Sequence, residues 1–182
     1  MDSNFVSSVG EYVNKFEKAI AEYTGSKYAV AAVNGTSALH ICLLLVGVHA
    51  DEEVITQPVS FIATCNAITY TGAKPVFVDV NKETMGMCPQ KLEEFLKENA
   101  RKGADGYSYN NKTGKRFAAV VPMHTFGHPC LIEDIAEVCK KYNIPLVEDA
   151  AESIGSKYKG KHTGLFGKLS ALSFNGNKVI TT

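Results

Sequence analysis

The segment IPLVEDAAES, residues 144–153, runs apolar without alternation and then ends in two adjacent carboxylates, Glu148 and Asp149. A strand with one wet face alternates apolar and polar residues, whereas an unbroken apolar run suits a strand covered on both faces. KYAVAAV (27–33), KPVFVDV (74–80) and FAAVVP (117–122) have the same character, and EVITQP (53–58) reads as a short strand closed by Pro58. Helical periodicity fills the intervals. Val9, Tyr12, Val13, Phe16, Ala19, Ile20 and Tyr23 recur on one face and stop at Gly25, a C-terminal cap. ALHICLLLVGV is nearly all apolar, as in a helix buried by the core, and SFIATCNAITYTG reads as another helix. Pro89 suits the first turn of a helix carrying Leu92, Phe95 and Leu96, and LIEDIAEVCKKY turns Leu131, Ile135, Val138 and Tyr142 inward. Residues 103–116, GADGYSYNNKTGKR, read as an exposed loop. Helices alternating with doubly covered strands make parallel crossovers, so the expected architecture is α/β in three layers, α/β/α, with a mostly parallel sheet.

Composition narrows the function. The 182 residues hold 19 Lys plus Arg against 19 Asp plus Glu, so no overall field draws the chain to nucleic acid or a membrane surface. Five cysteines without a CxxC pair argue against a disulfide framework or a zinc ribbon and for reduced thiols in a cytoplasmic protein. No metal site is expected. MDSNFVSSVG lacks the basic and apolar regions of a secretory signal, and the longest apolar run, ICLLLVGV, is too short to span a bilayer.

In open parallel sheets, ligands sit beyond the carboxyl ends of the strands. That rule selects five loops: Asn34–Ser37, Gln57–Thr64, Met123–Pro129, Asp149–Glu152 and Ser173–Lys178. NGTS (34–37) opens a helix with a glycine and two hydroxyls, which suits either a phosphate site or a plain helix cap. The chain has neither GxGxxG nor GxxxxGK[ST], which disfavours a dinucleotide or P-loop nucleotide site. Glu148 and Asp149 need an answering group, because an unpaired buried carboxylate is costly. A cationic ring nitrogen or the capping of the next turn would supply one. In SFNGNKVITT (173–182), Lys178 is either a solvated surface charge or, if desolvated, an amine able to form a Schiff base. A phosphate cradle, a strand-end aspartate and a loop lysine, in that chain order, describe a pyridoxal phosphate site.

The motifs NGTSALH, SFIATCNAITYTGAKPVFVDV, VVPMHTFGHP, VEDAAESIGSKYKGKHTGLFG and SFNGNKVITT together resemble the DegT/DnrJ/EryC1/StrS family of sugar aminotransferases across essentially the whole chain. The resemblance implies a fold type I aminotransferase large domain, cut at both ends, with the small C-terminal domain missing from residues 1–182. It implies pyridoxal phosphate as cofactor, a nucleotide-linked 4-keto-6-deoxy sugar as substrate, glutamate as amino donor and a homodimer in the full-length form. By the same resemblance, Lys178 is the lysine that carries the cofactor, and Asp149 holds the pyridine nitrogen protonated. Gly35, Thr36, Ser37 and Ser173 lie at its phosphate, Phe61 stacks on its ring or else fills the core, and Glu152 lies close by. Ser8, Gly10 and His124 match positions near the sugar, with His124 equally readable as a satisfied structural histidine. Two alternatives stay open: a catalytically silent fold or interaction module, and a pyridoxal phosphate sugar dehydratase, a branch that resembles the family with histidine at the lysine position.

Overall fold

The computed structural model describes residues 10–181. In chain order the elements are α1 (Glu11–Thr24), α2 (Gly35–Leu45), β1 (Glu53–Thr56), α3 (Ile62–Tyr70), β2 (Lys74–Phe77), α4 (Pro89–Asn99), β3 (Ala100–Lys102), β4 (Ser108–Asn110) and β5 (Phe117–Val121). There follow a 3-10 turn (Thr125–Gly127), α5 (Ile132–Lys141), β6 (Val147–Asp149), the short pair β7 (Lys157–Tyr158) and β8 (Lys161–His162), and β9 (Leu169–Ala171).

β2, β1 and β5 pair in parallel in that spatial order. Parallel bridges Val120–Leu146 and Met123–Asp149 join β5 to the segment of β6, and β6 pairs in parallel with β9. From β1 the chain passes outward to β2 and then returns to β5 on the other side, so the order reverses between β1 and β5. Ligands favour such a crevice, and the ends of β1, β5, β6 and β9 open on it.

Side-chain alternation along the strands divides the interior into two cores, one on each face of the sheet. Val54, Ala119 and Val121 pack with Leu39 and Leu43 of α2 and Ala67 and Ile68 of α3. Their neighbours Ile55 and Val120 pack on the other face with Leu92 and Leu96 of α4 and Ile132 and Ile135 of α5. Both faces are therefore covered at the central strands β1 and β5, whereas β2, expected to be covered on both faces, is an edge strand with Lys74 and Phe77 exposed. α1 ends at Gly25, whose φ of 81° lets its N–H close on the Ala21 carbonyl, and Pro89 occupies the first turn of α4.

Three local expectations need correction. Lys27–Val33 is not a strand; Tyr28, Val30 and Val33 are exposed, and no strand among the described residues runs alongside to take up its backbone bonds. Residues 103–116 are only partly loop. β4 pairs antiparallel with β3, and Ser108 and Asn110 are buried. Asn110 Nδ2 and Thr113 Oγ1 donate to the buried Glu53 carboxylate at 2.8 and 2.9 Å, so polar side chains here serve the interior. α2 is buried on one side only, since Ile41, Leu44 and Leu45 face outward. No described helix is long and apolar enough to cross a membrane. The described residues hold no cluster of His, Cys, Asp or Glu suited to a metal ion.

The 3-10 turn abuts the loop after β6. Gly127 has φ +81°, and a Cβ there would lie 2.7 Å from the Glu152 carbonyl oxygen. Gly127→Ala is expected to destabilise the protein by about 1–3 kcal/mol, from left-handed strain and displacement of that loop. Urea denaturation should show a lower midpoint at unchanged slope.

Candidate active site

Glu148 and Asp149 are consecutive on β6, so their side chains leave opposite faces of the strand. Glu148 is fully buried and fully answered. Its Oε1 accepts the N–H groups of Phe166 and Gly167, both at 2.6 Å, and its Oε2 accepts the N–H of Gly164 at 2.8 Å and His124 Nε2 at 3.0 Å. Burial pushes the Glu148 carboxyl up, but the His124 ring and the Gly167 and Gly164 amides outweigh it and hold the group below the usual carboxylate range.

His124 is completely buried. Its Nδ1 accepts the Cys130 N–H at 3.3 Å, which places the ring proton on Nε2, facing Glu148. With both nitrogens engaged inside the protein, His124 has no edge for a sugar. The expected substrate contact at this position gives way to the structural reading.

Asp149 differs. Its Oδ2 accepts from Thr64 Oγ1 at 2.6 Å and its Oδ1 from the Ala151 N–H at 3.2 Å. A carboxylate can accept about four hydrogen bonds, and two are made here. Burial pushes the Asp149 carboxyl up, and Thr64, the Ala151 amide, His124 and Lys178 offset this only in part. A buried carboxylate in that condition gains from a cation placed against it.

Lys178 belongs to the turn after β9, where its N–H bonds the Asn175 carbonyl at 2.8 Å. The side chain is 11% exposed, and Nζ donates to Glu152 Oε1 at 2.9 Å. Nζ also lies 5.4 Å from the centroid of the Phe61 ring, within cation–π range. Phe61, at the start of α3, is 57% exposed and so is not a core residue; its N–H rests on Met123 Sδ at 3.4 Å.

The N-terminus of α2 is capped by Asn34, whose Oδ1 accepts the Ser37 N–H at 2.8 Å. Capping thus falls to Asn34, and the hydroxyls of Thr36 and Ser37 have no partner among the described residues. A Cβ on Gly35 would lie 3.1 Å from Ser173 Cβ and 3.2 Å from its Oγ, so glycine lets the helix start close on Ser173. Aligned amides and hydroxyls there can hold an anion. Chemically, the cluster offers a shielded primary amine, a buried carboxylate short of partners, an open aromatic face and an anion cradle.

Of the remaining sequence candidates, Gly10 precedes α1 with nothing within 4 Å of an added Cβ, and Ser8 lies outside the described residues. Sequence reasoning missed Thr64, its neighbour Ser60, whose Oγ donates to Thr64 Oγ1 at 2.9 Å, and Gln57. Gln57 is buried and ties three loops: Oε1 accepts the Met87 and Met123 amides at 2.8 and 3.1 Å, and Nε2 donates to Val59 O and Thr125 Oγ1 at 2.8 and 3.0 Å. Its place directly after β1, in a loop at the sheet's carboxyl edge, was the available clue.

The sequence profile of the DegT/DnrJ/EryC1/StrS aminotransferase family matches residues 1–182. The chain belongs to this family. Among curated relatives it is similar to the GDP-perosamine synthases of Escherichia coli O157:H7 (43% identical, all of this chain, 45% of the relative) and Caulobacter vibrioides (39%, all of this chain, 44% of the relative). It therefore spans about 45% of the length of the curated relatives it matches. Among solved structures it is similar to DesI in the presence of its TDP-sugar product, with a TM-score of 0.80 and 28% identity over 99% of this chain and 41% of that one. It is also similar to a Bacillus subtilis protein with bound cofactor PMP, with a TM-score of 0.76 and 27% identity over 95% and 35% of the two chains. These neighbours share the fold type I aminotransferase architecture, and the cofactor of the DegT/DnrJ/EryC1/StrS aminotransferases is pyridoxal phosphate.

The two neighbouring carboxylates make opposite contributions to stability. Glu148 is held below its ordinary range, so its stabilisation is present above the unfolded-state value, about pH 4.3, and is lost as pH falls through the folded value. Asp149 is raised, so the protein gains from its protonation below about pH 3.9 and loses that gain as pH rises through the folded value. In cofactor-free protein at pH 7, Glu148→Gln is expected to cost about 3 kcal/mol, and Asp149→Asn to leave stability unchanged or higher. Denaturant melts of both variants check this.

Proposed function

We propose that this chain is the cofactor-binding large domain of a pyridoxal phosphate-dependent aminotransferase that converts a nucleotide-linked 4-keto-6-deoxy sugar to the 4-amino sugar, with glutamate as donor. The observation that carries the reading is Lys178: Nζ is shielded, oriented by Glu152 at 2.9 Å and set over the Phe61 ring at 5.4 Å. Two nucleotide-linked sugars among the similar proteins support the substrate class, the GDP-perosamine of the relatives and the TDP-sugar product in whose presence DesI was analysed. A lysine at this position favours transamination over the dehydratase reading.

The residues present fit the cofactor. Asp149, buried and short of partners, would hold the ring nitrogen in its protonated form. Gly35, Thr36, Ser37 and Ser173, at the N-terminus of α2, would hold the phosphate. Phe61 would cover one face of the ring and keep water from it. When bound, pyridoxal phosphate supplies an electron sink for the pair left behind when a proton leaves the substrate carbon. Lys178 Nζ would bind the cofactor covalently, take that proton once released by the incoming amine, and return it at the cofactor C4′. Glu152 would keep Nζ aimed at the reacting carbon. In the full-length protein a second copy and the remaining domain would complete the sugar pocket.

Incubation of the full-length protein with pyridoxal phosphate, then borohydride and peptide mass spectrometry, should place a pyridoxyl adduct on Lys178. Lys178→Ala should lose it and slow amination of a 4-keto nucleotide sugar by about 10³-fold or more. An adduct on another lysine, or retained turnover in Lys178→Ala, overturns the assignment.

A further inference from the structure

We propose that Thr64, with Ser60 behind it, is a positioning residue that holds Asp149 in the oriented, anionic form able to receive a protonated ring nitrogen. The inference rests on the cofactor reading above and adds to it the group that keeps the carboxylate ready.

The geometry fixes the direction of the relay. Ser60 Oγ donates to Thr64 Oγ1 at 2.9 Å, so the single Thr64 hydroxyl proton is free to point at Asp149 Oδ2, 2.6 Å away. That distance is in the range of a short hydrogen bond from a hydroxyl to an ionised oxygen. Thr64 is fully buried one helical turn after Phe61, so α3 delivers the aromatic face and the hydroxyl donor from the same end. Thr64 is the only side chain hydrogen-bonded to Asp149 among the described residues; the other bond comes from the Ala151 amide.

Lys178 faces Asp149 from the turn after β9 and His124 from the loop after β5, while Glu148 lies beside it on its own strand. Lys178 Nζ is committed to Glu152 and His124 to Glu148 and Cys130. Neither can orient the Asp149 carboxylate directly. Thr64 is thus the side chain that both fixes one carboxylate oxygen and favours the charged form in a buried setting. Ser60, more open, sets the rotor of Thr64; its Oγ also lies 3.5 Å from Met123 Sδ.

The test uses the full-length protein and two readouts, neither of which is turnover. One is the dissociation constant of pyridoxal phosphate from pH 6 to 9. The other is infrared difference spectroscopy of Asp149 protonation in cofactor-free protein, with the band assigned by its loss in Asp149→Asn. Thr64→Val, close in shape but without the donor, should raise the pH at which Asp149 gains a proton by about one unit and weaken cofactor binding about tenfold at pH 7, more at pH 6. Thr64→Ser should restore both to within about twofold. Ser60→Ala should shift both the same way by less, and it carries the test alone if Thr64→Val does not fold. The inference is overturned if the donor-deleted variant moves neither readout, or if Thr64→Ser loses as much as Thr64→Val. If Asp149→Asn binds pyridoxal phosphate as tightly as the wild type, the underlying cofactor reading itself fails.

Discussion

The buried carboxylate of Glu148 is the constraint on which the rest of the site depends. Four donors converge on it from two separate segments: three backbone amides of the 164–167 loop and the ring of His124. Breaking any one leaves a charge in the interior short of a partner, a costly condition that makes the arrangement all or none. Once Glu148 points into this cage, Asp149 must point the other way. The captured loop leads directly into β9, where Gly167 passes so close to Leu146 that a Cβ would lie 2.8 Å from its carbonyl oxygen. β9 in turn delivers Ser173 to the start of α2 and Lys178 to Glu152. One saturated carboxylate thus sets where the Lys178 amine ends up.

Its neighbour is left in the opposite condition. Asp149 is equally buried but has only Thr64 and one amide as partners, and its carboxyl is pushed up by desolvation. A structure selected for stability alone would have filled that site with a neutral side chain or a full set of donors. The shortfall therefore reads as binding capacity, available to a cation that arrives with a ligand. Lys178 and Glu152 solve a different problem, since an amine and a carboxylate at 2.9 Å satisfy one another while keeping Nζ in place beneath an aromatic face.

The fold was legible in the sequence because burial on two faces leaves a mark in the central strands β1 and β5. Ile55 and Val54 serve different cores, as do Val120 and Val121, so successive apolar residues are buried on opposite faces of the sheet. The strand-end rule then found the loops that hold Lys178, Asp149, Gly35 and Phe61. What stayed hidden depended on partners distant in the chain. Lys27–Val33 has the composition of a strand, yet pairing needs a neighbour that composition does not specify. The polar run 103–116 hid inward-facing Asn110 and Thr113 because Glu53, their partner, is far back in the sequence. His124 looked available for substrate until Glu148 was found on one nitrogen and Cys130 on the other. Thr64 closed the selected segment Gln57–Thr64 but had no role of its own there, since a threonine inside an apolar helix acquires meaning only when an aspartate 85 positions later comes to rest against it.

The central claim is that two strand-end carboxylates divide the labour, with Glu148 holding the fold and Asp149 receiving the cofactor opposite Lys178. The most direct measurement is a crystal structure of the full-length protein soaked with pyridoxal phosphate. The account predicts continuous density from Lys178 Nζ to the cofactor, with the ring nitrogen within hydrogen-bond distance of the Asp149 carboxylate and Glu148 still enclosed by its four donors. A cofactor bound away from Lys178, or with its ring nitrogen turned from Asp149, would contradict it.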